Sequence, residues 1–289
     1  VHDLGRLVAR GIQGKEPLPE PYLSWGAREM FIYPGSVHLF AGLAGTFKSM
    51  VTMGAVINMA VPTLVFSTDS DDLTMASRLL AQATGRPTSQ MRTMALNQPE
   101  AAANVLSERY GFIKWSFESD QTGDGIWHNL YAYATRHGEY PRLVVVDILS
   151  DVTFENAESE WAALRASMKQ LNVVARETNA AVILVHHASE AARTSDVYPC
   201  PGRDAIMGKD PRHPVLIVTF GKDSKGGLHV ACLKSRHGEA DASGHTSFPM
   251  SVDPTTSKVT DYNPQLAAAR AVMAAGWQGW GEDENDGEQ

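Results

Sequence analysis

One pattern constrains this chain more than any other. Short runs of Val, Ile, Leu and Phe that do not alternate with polar residues recur along it, and stretches of helical periodicity separate them. A strand wetted on one face alternates apolar with polar residues, whereas a run that is apolar throughout must be buried on both faces. Residues 37–41, 63–67, 143–146 and 181–185 read as such strands. Residues 48–59 and 73–84 read as helices, and Trp161, Leu164, Met168, Leu171 and Ala175 mark one face of a longer one. Buried strands separated by helices specify an α/β fold with a mostly parallel sheet flanked by helices. After Pro214 the pattern changes. Residues 215–220, 227–233 and 246–251 are short strands with glycine turns such as Lys225-Gly226-Gly227, which predicts a small antiparallel edge near the C-terminus.

A chain of 289 residues, 43% hydrophobic and 20% charged, suits one main domain with appendages. Four segments are expected: a helix and arm over 1–30, the main domain over 31–262, a helix over 263–280 and a disordered acidic tail over 281–289. In the first, Leu4, Leu7, Val8 and Ile12 fall at helical spacing behind a possible N-cap at Asp3, and Pro17, Pro19 and Pro21 forbid its continuation. So short a helix is marginal alone and must dock on its own domain or a neighbouring subunit. The 263–280 helix is punctuated by Asn263 as N-cap, Pro264 at the first turn and Gly276 past its end. The tail holds five acids and no base, so the formal charge of −8 falls to −3 without it. Such a tail is expected to compete with DNA or to dock a replication or recombination partner. Two cysteines, Cys200 and Cys232, point to a reducing compartment, hence the cytoplasm. Asn58, Pro62 and Thr63 break the most apolar stretch, which argues against a membrane span.

Between the first predicted strand and helix lies Gly42-Leu43-Ala44-Gly45-Thr46-Phe47-Lys48-Ser49. This is the context of a P-loop, in which backbone N–H groups and a helix N-terminus cradle phosphates, the lysine reaches the β- and γ-phosphates and the hydroxyl holds Mg²⁺. ATP contacts are expected from Gly42, Ala44, Gly45, Thr46, Phe47, Lys48, Ser49 and Met50. Phe47 departs from the pattern, which usually has glycine before the lysine. An ordinary glycine-rich turn with a solvated lysine is the competing reading. Three more polar positions weigh against it, because ligands of open α/β sheets bind at the carboxyl ends of the strands. Asp69 follows the strand ending at Ser67, Asp147 follows 143–146, and His186 and His187 follow 182–185. Phosphoryl transfer gives them roles. Ser49 and Asp147 would hold the metal, Asp69 would orient the attacking water, and His186 or His187 would sense the γ-phosphate. Asp71 and Asp72 would cap the next helix.

With Phe66-Ser67-Thr68-Asp69, Val144-Val145-Val146-Asp147, Val185-His186-His187 and Leu233-Lys234-Ser235-Arg236-His237-Gly238 in this order, the chain resembles RecA-like P-loop ATPase domains over roughly 33–260. It is most similar to the DnaB-type hexameric helicase family, in the stand-alone phage and plasmid (RepA-like) form without an N-terminal domain. The resemblance implies a RecA-like three-layer fold, a hexameric ring that hydrolyses ATP with Mg²⁺, single-stranded DNA in a central channel, and a bacterial cytoplasm, with the protein possible in a phage. It also implies that the first helix packs on the next subunit. Position by position, Asp69 stands where the family has a catalytic Glu, and His186 matches the sensor. Lys234 and Arg236, two apart on a strand and hence on one face, match a pair that reaches a neighbour's γ-phosphate. The loops that would face DNA are 150–158, acidic with Asp151, Glu155 and Glu158, and 188–208, with Arg193 and Arg203 and, just beyond, Lys209. A recombinase filament and a regulatory ATPase without nucleic acid are the alternatives.

Overall fold

The computed structural model describes residues 15–153, 160–189, 192, 194–207 and 213–265. The first helix with Leu4, Leu7, Val8 and Ile12, nearly all of the 263–280 helix, the acidic tail, Arg193, Lys209, Glu155 and Glu158 lie outside the described residues. In chain order the elements are α1 (Leu23–Gly26), β1 (Val37–Gly42), α2 (Lys48–Met59), β2 (Thr63–Ser67), α3 (Asp72–Thr84), α4 (Thr88–Asn97), α5 (Pro99–Tyr110) and β3 (Ile113–Ser116). There follow β4 (Gln121–Thr122), α6 (Gly123–His137), β5 (Leu143–Asp147), β6 (Val152–Thr153), α7 (Glu160–Thr178), β7 (Ala181–His187), α8 (Asp204–Met207), β8 (Leu216–Lys222), β9 (Leu228–Ser235), β10 (Ser247–Asp253) and β11 (Lys258–Asp261).

Nine strands form one sheet in the order β11-β10-β9-β8-β1-β7-β5-β2-β3. The strands from β8 to β3 run parallel, and β9, β10 and β11 add the antiparallel edge. One expectation changes here. Residues 215–220 belong to the parallel part, because β8 returns alongside β1 with Phe220 opposite Gly42. The antiparallel run begins only with β9.

Successive side chains on a strand point to opposite faces, and the two cores divide accordingly. Phe40, Val65, Val145 and Ile183 meet Val51 and Val56 of α2 and Met75 and Leu79 of α3. Their neighbours Leu39, Val144, Val146 and Leu184 meet Ile126 and Leu130 of α6 and Leu164, Met168 and Leu171 of α7. The three layers and the mostly parallel central sheet are those of a RecA-like fold.

Residues 15–30 are built into the first of these cores rather than standing off as an arm. Leu18, Tyr22, Trp25 and Met30 are all buried in it. The Tyr22 hydroxyl donates to the Val51 carbonyl at 2.9 Å, and the Asp261 carboxylate accepts from the Leu23 and Ser24 amides. Packing therefore shows no boundary near residue 31.

His38 is buried near the start of β1. Its Nε2 accepts from the Tyr33 amide at 3.0 Å while Nδ1 lies 3.2 Å from the Val182 carbonyl, so the ring is held neutral between an acceptor and a donor role. Burial, with a smaller push from His237, lowers its pKa to about 4. The unfolded chain then binds more protons than the folded one between about pH 6.5 and 4, and stability falls as the pH drops through that window. In urea unfolding between pH 7 and 5, a His38→Gln variant is expected to lose up to about 1.4 kcal/mol per pH unit of the wild-type slope. Parallel profiles would remove His38 as the source.

Candidate nucleotide site

The loop between β1 and α2 is shaped by close approach. A Cβ on Gly42 would sit 2.6 Å from the Phe220 carbonyl oxygen and 2.6 Å from the Thr46 hydroxyl, so the strand can leave the sheet here only as glycine. Phe47 adopts φ 62°, ψ 21°, the left-handed conformation, at the position where glycine is usual. A non-glycine residue there costs on the order of 1–3 kcal/mol, which its surroundings must offset. The ring packs against the first core, and the Lys222 ammonium at the end of β8 lies 4.7 Å from its centroid. Lys222 was not apparent from the sequence, since a lysine closing a strand looks like any solvated edge residue.

Lys48 opens α2 and is buried, with its ammonium donating to the Leu43 carbonyl at 2.8 Å. The Thr46 hydroxyl donates to the same carbonyl at 2.7 Å. Burial pushes the Lys48 pKa down, opposed by the carboxylates of Asp147 and Asp69. Asp147 ends β5 on the α2 side of the sheet, as do Leu143 and Val145. Its pKa is raised by burial and by Asp69, against a hydrogen bond from the Ser49 hydroxyl and the charges of Lys48 and Arg78. A hydroxyl paired with a half-buried, destabilised carboxylate is a hard-oxygen donor set that a divalent cation would relieve. The residues present therefore fit Mg²⁺ held by Ser49 and Asp147 together with phosphate oxygens.

Thr68 fixes the neighbouring acid. Its amide donates to the Asp147 carbonyl at 2.8 Å, and its hydroxyl accepts from the Ile148 amide at 2.9 Å and donates to Asp151 at 2.8 Å. These bonds tie the ends of β2 and β5 together and set where Asp69 leaves the sheet. Asp71 caps α3 by accepting from the Thr74 amide at 2.7 Å, with Asp72 in the first turn.

The two histidines separate by strand parity. His187 shares the face of Ile183, hence of the P-loop helix, and its pKa is lowered by burial and by Lys48 against Asp69 and Asp151. His186, the sensor position inferred from the sequence, falls on the face of Val182 and Leu184 and is 9% exposed. Its Nδ1 has no hydrogen-bond partner among the described residues, and burial, then His187 and Lys48, lowers its pKa to about 4. Of the pair, His187 is the one that shares the face of Lys48, Asp147 and the P-loop.

Lys234 lies near the end of β9, whereas Arg236 follows the strand's last residue, Ser235. Lys234 pairs with Ile217, and the Arg236 amide donates to the Val215 carbonyl. They stand beside the start of β8, whereas Gly42, where the P-loop leaves β1, lies opposite Phe220, roughly 10 Å along the strand from the level of Lys234 and roughly 16 Å from that of Arg236. Arg203 joins them: burial first, then Arg236 and Arg203, lowers the Lys234 pKa.

A P-loop at the end of a central parallel strand, a hydroxyl–carboxylate pair beside it and acids on the adjoining strand ends define a P-loop ATPase domain. A family profile described as AAA domain matches residues 7–193, and the chain belongs to that family. Gene 65 protein of Mycobacterium phage L5 is 29% identical over 266 residues, covering 89% of this chain and 97% of that protein. Gene 65 protein of Mycobacterium phage D29 is 30% identical over 230 residues, covering 76% and 96%. Among solved structures, an isolated ATPase domain aligns with a TM-score of 0.71 at 14% identity, over 90% of this chain and 96% of that one. A DnaB-like replicative helicase, solved in a study of its interactions with primase, aligns with a TM-score of 0.72 at 14% identity, over 90% of this chain and 65% of that one. At this identity the likeness shows the fold, which is the RecA-like fold of DnaB-type ATPase domains. No helix among the described residues is long and apolar enough to cross a membrane.

Proposed function

We propose that this chain is an ATP-hydrolysing motor of the DnaB type, which assembles as a homo-oligomeric ring, most simply a hexamer, and translocates on single-stranded DNA in a bacterial cytoplasm. Gly42 to Met50 bind ATP, with Lys48 on the β- and γ-phosphates. Mg²⁺ held by Ser49 and Asp147 would supply neutralisation of phosphate charge. Asp69 orients the attacking water, and the His186–His187 pair reports the γ-phosphate to the loop after β7, His187 from the P-loop face. Arg203, with Arg193 and Lys209, contacts DNA phosphates.

The observation that carries the ring is the position of Lys234 and Arg236. Arg236, roughly 16 Å along β8 from the strand end that opens its own P-loop, is too far to neutralise the phosphate bound there, whereas it can serve a nucleotide held by a neighbouring subunit. Two inactive variants should then complement each other. Arg236→Ala and Asp69→Ala are each expected to lose ATPase activity, and mixing them is expected to restore part of it, because mixed interfaces contain one intact site. Absence of recovery, with co-assembly confirmed, would confine Arg236 to its own subunit. ATP hydrolysis indifferent to single-stranded DNA would favour a regulatory ATPase instead.

A further inference from the structure

The segment after β7 and the turn between β9 and β10 run side by side outside the sheet. The Arg203 amide donates to the Ala242 carbonyl at 2.9 Å, a Cβ on Gly202 would lie 2.8 Å from the Ser243 carbonyl, and one on Gly244 would lie 2.9 Å from that of Cys200. At the far end of this ribbon the rings of Tyr198 and His245 stack, centroids 3.9 Å apart and planes 25° from parallel.

Both supports of the stack are stiff. Asp196 accepts from the Ser224 amide and hydroxyl at 2.7 and 2.8 Å. The next turn sits so close to β8 that a Cβ on Gly221 would lie 1.9 Å from the Pro199 carbonyl oxygen. On the other side, the Asp241 carboxylate accepts from the Ser243 and Thr246 amides and the Ser243 hydroxyl. Tyr198 is nevertheless 43% exposed and Val197 beside it 72% exposed. An aromatic ring held in place yet partly open to solvent can bind a planar apolar group with little ordering cost.

We propose that Tyr198, braced by His245, is a stacking platform for an unpaired base of a single-stranded nucleic acid, with Arg203 receiving a phosphate of the same strand. Arg203 lies five residues along the segment, hence within roughly 17 Å of Tyr198, the span of a short oligonucleotide. Bases within a duplex have both faces covered by their neighbours, so the platform selects single strands. A cation and an aromatic ring together fit that ligand better than an apolar protein surface, which would not call for the Arg203 guanidinium beside the ring-bearing segment. The inference rests on the proposed motor function and adds a base contact to it.

The test is binding by fluorescence anisotropy, with Mg²⁺ and a non-hydrolysable ATP analogue, of an oligothymidylate and of an abasic strand of equal length. Wild type is expected to prefer the thymidylate roughly ten-fold, Tyr198→Ala to lose that preference, and Tyr198→Phe to keep it. The salt dependence of Tyr198→Ala is expected to match wild type, whereas Arg203→Ala is expected to lower the slope by about one. Equal wild-type affinity for the two strands would overturn the platform while leaving the motor reading in place, and it decides even if the alanine variant does not fold. Binding of neither strand would overturn both.

Discussion

Alanine in place of Trp25 is expected to lower the unfolding free energy by about 3–5 kcal/mol, the range for a large aromatic removed from a packed core. The indole is fully buried. Tyr22 and Phe40 each lie 5.4 Å from it between ring centroids and Phe220 lies 6.5 Å away. Phe40 and Phe220 belong to β1 and β8, the two strands whose ends hold the P-loop and Lys222. The cavity would open under the nucleotide site as well as under the N-terminal segment. Trp25→Phe is expected to cost much less, since it keeps a ring in place and removes an indole N–H that has no partner among the described residues. Urea unfolding of both variants measures this. A loss below about 1 kcal/mol for alanine would mean that residues 15–30 are an appendage after all.

The sequence shows the central strands plainly because burial on both faces leaves few polar residues in them, His38 and Thr63 among them. The same property hides strand parity, so 182–185 cannot say whether His186 or His187 turns towards the P-loop. The pairing of β8 is hidden for a related reason: a short apolar run followed by a glycine turn looks alike whether it joins a parallel sheet or a hairpin. Helices α4 and α5 carry no strong apolar stripe because they bury little beyond Met91, Ala102 and Tyr110. Residues 15–30 read as an arm because their prolines are visible, whereas the contacts of Trp25 and Tyr22 are long-range. In the site, Lys48, Ser49, Asp69 and Asp147 are legible from spacing alone and converge in the structure. Thr68 and Lys222 act through a strand-end clamp and a ring contact, neither of which leaves a sequence signature. The departure at Phe47 is visible in the sequence, but its left-handed backbone and the cation over its ring are not.

Lys48→Ala is expected to lower ATP turnover by at least about a hundred-fold. The ammonium is buried between the P-loop carbonyl of Leu43 and the carboxylates of Asp147 and Asp69, so it is positioned before any phosphate arrives. Preorganised charge of this kind loses nothing to reorganisation in the transition state, which is why its removal costs so much. Its loss also leaves Asp147 and Asp69 facing each other without the cation that favours their ionised forms, raising the Asp147 pKa further. Arginine should not substitute well, because a planar guanidinium cannot follow the tight path of the loop. The most direct measurement is the steady-state release of phosphate from Mg-ATP by wild type and Lys48→Ala, each with and without single-stranded DNA. The P-loop assignment predicts turnover by wild type that DNA stimulates, and loss of that turnover in the variant under both conditions. Wild-type rates from Lys48→Ala would contradict it.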